Sequence, residues 1–139
     1  MQQDQDKEIE QAAVLKSAVL CERILQDVRT RRFTLESIFE TISRKKFPVR
    51  IEKWMLYIEL TEIRRPISVK IEVLRVTGEL LGDTEFEVRS QDALEIIQYP
   101  VSLPPVTALQ EGVCLVKIFA NNKLVGDRRV IFSKIKNGL

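Results

Sequence analysis

Apolar and polar residues alternate with a period of two along much of this chain, the pattern of strands with one buried face. It is clearest over residues 67–73, where Ile67, Val69, Ile71 and Val73 point one way and Ser68, Lys70 and Glu72 the other. Residues 84–89 repeat it, with Phe86 and Val88 inward and Glu85, Glu87 and Arg89 outward. The last quarter reads as a β-hairpin. Val113, Leu115 and Phe119 alternate with Cys114, Val116 and Ile118, Asn121-Asn122 supply a two-residue turn, and residues 124–132 run back. Asn tolerates positive φ, which a type I′ turn requires at both central positions.

The remaining segments follow with weaker signals. Phe33, Leu35 and Ser37 alternate with Thr34, Glu36 and Ile38. Ser43-Arg44-Lys45-Lys46 reads as a basic loop, and Pro48 opposes a helix through it. Residues 54–60, rich in Trp, Met, Tyr and Leu, predict a central strand. Arg64-Arg65-Pro66 breaks the chain, and Thr77-Gly78 and Gly82-Asp83 bracket a turn. Residues 93–101 hold one more apolar strand. Pro100, Pro104 and Pro105 mark an edge or a crossover, because Pro donates nothing to a ladder.

Residues 14–28 admit two readings. Ile9, Ala13, Leu20, Ile24 and Val28 recur at roughly helical spacing. The rival is a strand over 15–21 followed by a turn at 28–31. Seven or eight strands result, depending on that choice. Strands so spaced predict an all-β, antiparallel β-sandwich of immunoglobulin-like architecture. The expected organisation is a flexible acidic N-terminal extension over 1–12 and a single β-sandwich domain over 13–136.

Composition narrows the chemistry. The 139 residues contain no His. That removes Ser-His-Asp and Cys-His nucleophiles, imidazole acid–base work and His-containing zinc sites. Cys21 and Cys114 are far apart, have no metal-ligand spacing and sit among apolar residues, so they read as buried thiols. The first twelve residues are polar and lack the apolar core of a signal peptide, and the run from 13 to 20 is too short to span a bilayer. A cytoplasmic protein without a membrane partner is expected.

The net charge of +2 is unevenly spread. Residues 1–10 sum to −3, whereas residues 23–53 carry nine Lys/Arg against four Asp/Glu.

The order of segments also resembles that of a known family. The likeness is carried by Val19-Leu20-Cys21-Glu22, then the stretch from Phe33 to Phe39, then Phe47-Pro48. Glu85-Phe86-Glu87-Val88 and Val101-Ser102-Leu103-Pro104 follow, and the run 117–128 carries F-A-N-x-x-L-x-G-x-R. This is similar to a family of small, uncharacterised prokaryotic proteins, a domain of unknown function, over roughly residues 14–132. Asn122 stands where that family usually has Gly, and Glu22 where it often has Asp. The resemblance implies a strand for the first apolar segment and a sandwich for the whole. It implies no activity and no catalytic residue.

Candidate contacts come from the basic segments. Arg29, Arg31 and Arg32 precede one strand, and Arg44, Lys45 and Lys46 follow it. Were both loops at one end, they would form a positive patch for phosphates or an acidic protein surface. The blander alternative is a pair of solvated loops. Trp54 and Tyr57 read as core before they read as a stacking platform. Glu36, Glu40, Glu85 and Glu87 read as a solvated face before a carboxylate pair or cation site. No catalytic, metal or cofactor-binding residue is assigned, and no cofactor is expected. The expected function is a non-catalytic protein-interaction module, its partner another protein or a second copy through an edge strand. The alternative is weak binding of nucleic acid or an anionic ligand by the 29–32 and 44–46 loops, with Arg31, Arg32, Arg44, Lys45 and Lys46 in contact. An enzyme using carboxylate or Lys chemistry ranks third.

Overall fold

The alternating segments do form strands. The computed structural model describes residues 12–136, and the chain is all-β, with sheets packed into a sandwich. In chain order the strands are β1 (Val14–Gln26), β2 (Phe33–Ile38), β3 (Thr41–Arg44), β4 (Val49–Ile51), β5 (Met55–Thr61) and β6 (Ile67–Arg75). They continue as β7 (Leu80–Val88), β8 (Ile97–Ser102), β9 (Val106–Ala108), β10 (Gly112–Ala120) and β11 (Lys123–Lys134). Apart from Ala12, the extension expected over 1–12 lies outside the described residues.

One sheet has the order β2-β1-β5-β8, the second β3-β11-β10-β6-β7, and β4 pairs with β9 alone. The core lies between the two large sheets. Leu20, Leu56, Ile58 and Leu60 enter it from the first, and Val69, Ile71, Val116, Ile118 and Val130 from the second. All are buried to 3% exposure or less. Burial of apolar area at roughly 25 cal/mol per Å² supplies the main stabilisation of such a core.

The 14–28 ambiguity resolves as strand. β1 pairs with β2 on one side and β5 on the other, and those ladders override helix propensity. The pairing register slips between Leu15 and Ser17. This bulge moves the inward phase from Ala13 and Leu15 to Ala18 and Leu20, so the alternation is hidden in the sequence.

Four other expectations need correcting. Ser43 and Arg44 close β3 rather than forming a loop, because residues 131–134 of β11 offer them a partner. That pairing is parallel, against an otherwise antiparallel set. Gly82-Asp83 lies inside β7, while the turn is made earlier, with Gly78 at φ 97°. The strand expected from 93 begins at Ile97, since residues 93 and 94 form a turn. Eleven strands replace seven or eight among the described residues, the additions being the short β3, β4 and β9.

Two local readings hold in detail. Asn121 and Asn122 adopt φ of 47° and 68° between β10 and β11. Asn121 also clasps β6, its Oδ1 accepting from the Ser68 N–H at 2.9 Å and its own N–H donating to the Ser68 carbonyl at 2.8 Å. Pro100 sits in β8, an outer strand, where a missing donor is tolerated.

Gly82 is placed by contact rather than by φ. A Cβ there would meet Pro104 Cγ at 2.9 Å, and a proline ring has no rotamer to swing away. Gly82→Val is expected to cost about 1–3 kcal/mol by overpacking, read from the denaturant midpoint. An unchanged midpoint would mean that the 103–105 crossover yields freely.

Candidate functional site

Strand direction decides which loops meet. Arg128 Nε on β11 donates to the Ala18 carbonyl on β1 at 2.7 Å, and Gly126 lies against Leu15. Later residues of β11 therefore face later residues of β1, so the two strands run the same way. Since β3 is parallel to β11, its last residue, Arg44, points to the end from which the β1–β2 hairpin projects. The two basic segments leave the same end of the sandwich.

They do not project in the same direction. Phe33 pairs with Gln26 and Tyr57 with Val19. A straight strand would separate those positions by roughly 23 Å at 3.3 Å per residue. The Phe33 and Tyr57 ring centroids are nevertheless 5.8 Å apart. The hairpin therefore curls over the outer face of the four-stranded sheet and takes its turn with it. That cover buries Tyr57 to 7% exposure on the face away from the core.

The curl leaves a cleft of about 560 Å³ between the base of the hairpin and β3, within the size range of ligand sites. Phe39, Ile42, Ile51 and Trp54 form its apolar floor, and the Phe39 and Trp54 rings stack at 6.4 Å. Trp54 is 1% exposed and its Nε1–H donates to the Pro104 carbonyl at 2.8 Å. Arg23, Arg44 and Lys53 stand on the rim with Glu22 and Glu36, and Thr41 and Ser43 form part of the β3 wall.

The charges on this rim are not balanced. Arg23 pairs with Glu36 at 3.3 Å, and nearby Arg50 with Glu52 at 2.7 Å. Among the described residues Arg44, Lys45, Lys46 and Lys53 are in no ion pair, and on the rim itself Arg44 and Lys53 stand against one carboxylate in no ion pair, Glu22. Of the five residues singled out in the sequence, Arg44 lines the cleft, and Lys45 and Lys46 follow it in the 45–48 loop. Arg31 and Arg32 lie in the hairpin turn, Arg31 at φ 65°. Asp27 shapes that turn: its carboxylate accepts the Thr30 and Arg29 N–H groups, which hold its pKa below the usual value. Sequence reasoning missed Arg23 and Lys53, which reach the rim from β1 and from the 52–54 connection between β4 and β5. The only sequence signal for Lys53 is its place beside a core Trp.

Other candidates resolve as structure. Tyr57 belongs to the covered outer face and Trp54 to the core. Glu85 accepts from Ser68 Oγ at 2.7 Å, and Glu87 pairs with Arg89. Glu40 lies in a separate hollow beside Asp127, Arg128 and Arg129, where Arg128 is committed to the Ala18 carbonyl. Cys21 and Cys114 are free and buried, and burial pushes both thiols above their ordinary pKa, the reverse of what a nucleophile needs. Among the described residues no three Cys, Asp or Glu side chains are grouped to hold a metal ion. No helix there is long and apolar enough to cross a membrane.

A two-sheet sandwich with an end cleft defines a class of fold, not an activity. No family model and no curated protein matches the chain. Among solved structures it is similar to the Pseudomonas fluorescens alkylpurine DNA glycosylase AlkC bound to DNA containing an abasic site analog, at 12% identity and a TM-score of 0.47. The match covers 91% of this chain and 32% of that one, so the chain spans about a third of that protein's length.

Proposed function

We propose that this protein is a non-catalytic protein-interaction module whose binding site is the end cleft. The observation that carries the reading is the coincidence of three features in one place. The cleft has an apolar floor, an outer strand for a wall and a rim with an excess of unpaired cations. Apolar area supplies affinity, and uncompensated charge supplies steering and choice of partner. The shifted groups, Cys21, Asp27, Tyr57 and Cys114, do not line this cleft, whereas catalytic centres commonly gather such groups.

The test is a tagged pull-down from source-cell lysate, with nuclease, using wild type and an Arg44→Glu/Lys53→Glu variant. Both positions are exposed, so the variant is expected to fold. The expected result is a stoichiometric protein that survives nuclease and is lost with the variant. Equal recovery by both proteins would refute the cleft as the site.

A second reading rests on the same unpaired cations. Arg44, Lys45 and Lys46, with Arg31 and Arg32 on the hairpin, would bind nucleic acid or another polyanion weakly. Its mark would be material recovered only at low salt and removed by nuclease.

A further inference from the structure

The backbone of β3 points to a more specific occupant, an inference that rests on the cleft being the binding site. The Glu40 carbonyl accepts from the Ile131 N–H at 2.8 Å, and the Arg44 carbonyl from the Ile135 N–H at 2.9 Å. Successive residues of a strand turn their backbone groups toward opposite edges. Residues 40, 42 and 44 therefore serve β11, and Thr41 and Ser43 face away from it. β3 is the outermost strand of its sheet, so these groups have no strand partner. Both residues line the cleft. The Ser43 carbonyl is meanwhile covered by a local donor, Nη1 of Arg44 at 2.9 Å.

We propose that β3 accepts an extended, acidic segment of a partner protein as an added strand. Main-chain hydrogen bonds to Thr41 and Ser43 would hold the segment, and its side chains would alternate between two surroundings. The set on the side of Ile42 and Arg44 would place apolar residues on Phe39, Ile42 and Ile51 and a carboxylate at the end where Arg44 and Lys53 stand. The other set would lie beside the exposed Thr41 and Ser43 side chains. An incoming N–H replaces Arg44 on the Ser43 carbonyl and frees the guanidinium for a carboxylate, where the planar fork pairs best.

Charge selects among occupants. A second copy pairing β3 with β3 would bring together two 40–46 segments that each carry Arg44, Lys45 and Lys46 against Glu40 alone, a net positive charge on both sides. The acidic strand at the far side of the same sheet, β7, already commits its carboxylates. Asp83 is with Lys70, Glu85 with Ser68 and Glu87 with Arg89. Nucleic acid would use the cations but not the strand edge, and Trp54, at 1% exposure, presents no ring face to a base.

The experiment selects short peptides from a random displayed library on the full chain, then measures the best peptide by fluorescence anisotropy. Selected sequences should carry apolar residues at alternate positions and an acidic residue at the end that meets Arg44 and Lys53, without central Pro. N-methylation should weaken binding roughly 3- to 10-fold per site at alternate peptide positions and hardly between them, as loss of single backbone hydrogen bonds predicts. Arg44→Glu/Lys53→Glu should weaken it about tenfold or more. A flat N-methyl scan with the charge variant still weakened would overturn strand addition and leave the cleft as the site. Indifference to both would overturn strand addition and the cleft together. Selection of no peptide while a single-stranded oligonucleotide binds, or scattering that grows with protein concentration and is abolished by Ser43→Pro, would replace the proposed occupant by nucleic acid or a second copy.

Discussion

Trp54→Ala is expected to lower stability by about 3–5 kcal/mol, the usual cost of emptying a large aromatic site in a core. The side chain is 1% exposed, stacks on Phe39 and ties the 103–105 crossover to β5 through the Pro104 carbonyl. The Trp54 carbonyl adds a second tie, accepting from the Leu103 N–H at 3.1 Å. Domains of this size are stable by about 5–15 kcal/mol in total, so this one change removes a large share. The melting temperature should fall by roughly 10–20 °C. Trp54→Phe keeps most of the ring but leaves the carbonyl of Pro104 without its donor, and should cost about 1–3 kcal/mol. Trp54 is the sole Trp, so its blue-shifted emission reports on its own burial. A fall of only a few degrees for the Ala variant, or emission from wild type typical of a solvated indole, would contradict the packing described. Because the indole is also part of the cleft floor, partner binding should be lost together with stability. The Phe variant separates the two effects.

The parts of this structure that were legible in the sequence are those specified by local pattern. β6 shows unbroken alternation, and Asn121-Asn122 supplies the αL-tolerant residues that its turn uses. Pro100 announced an edge because the missing N–H excludes a central strand. What was illegible depends on distant partners. β3 exists because residues 131–134 lie beside it, and β4 because Val49–Ile51 meets Val106–Ala108. The phase of β1 is scrambled by one bulge at Lys16.

The candidate site divides in the same way. The Arg44-Lys45-Lys46 run is visible in the sequence, and so is the core role of Trp54. The convergence of Arg23 and Lys53 on the same rim is not, since it depends on the β1–β5 register that sets Cys21 against Met55, and the opening of the cleft beside them depends on the curl of the hairpin. That curl is set by Phe33 meeting Tyr57, a contact between residues that no spacing rule connects. The same curl separates Arg31 and Arg32 from the cleft, although both basic loops leave one end of the sandwich.

Stability at high pH should fall in a way that reports on that contact. Burial, then the bond from its hydroxyl to Glu59 Oε2 at 2.6 Å, pushes the Tyr57 phenol up to about 12 from an ordinary 10. Gln98 opposes this weakly, its Nε2 donating to the hydroxyl at 2.6 Å. The folded state thus holds the phenolic proton more tightly than the unfolded chain does. The stability this provides is fully present below pH 10 and disappears as pH rises toward about 12, a loss of roughly 2–3 kcal/mol. Cys21 and Cys114 act in the same direction at high pH, because burial raises their pKa as well. The informative comparison is therefore wild type against Tyr57→Phe, which keeps both thiols. The variant should be weaker by about 1 kcal/mol near pH 8, from the lost hydrogen bond, yet lose less between pH 10 and 12. Denaturant midpoints across that range decide the matter. Parallel decline of the two proteins would mean that Tyr57 titrates as in water. The curled hairpin would then not cover it, and the cleft that depends on that curl would lose its wall.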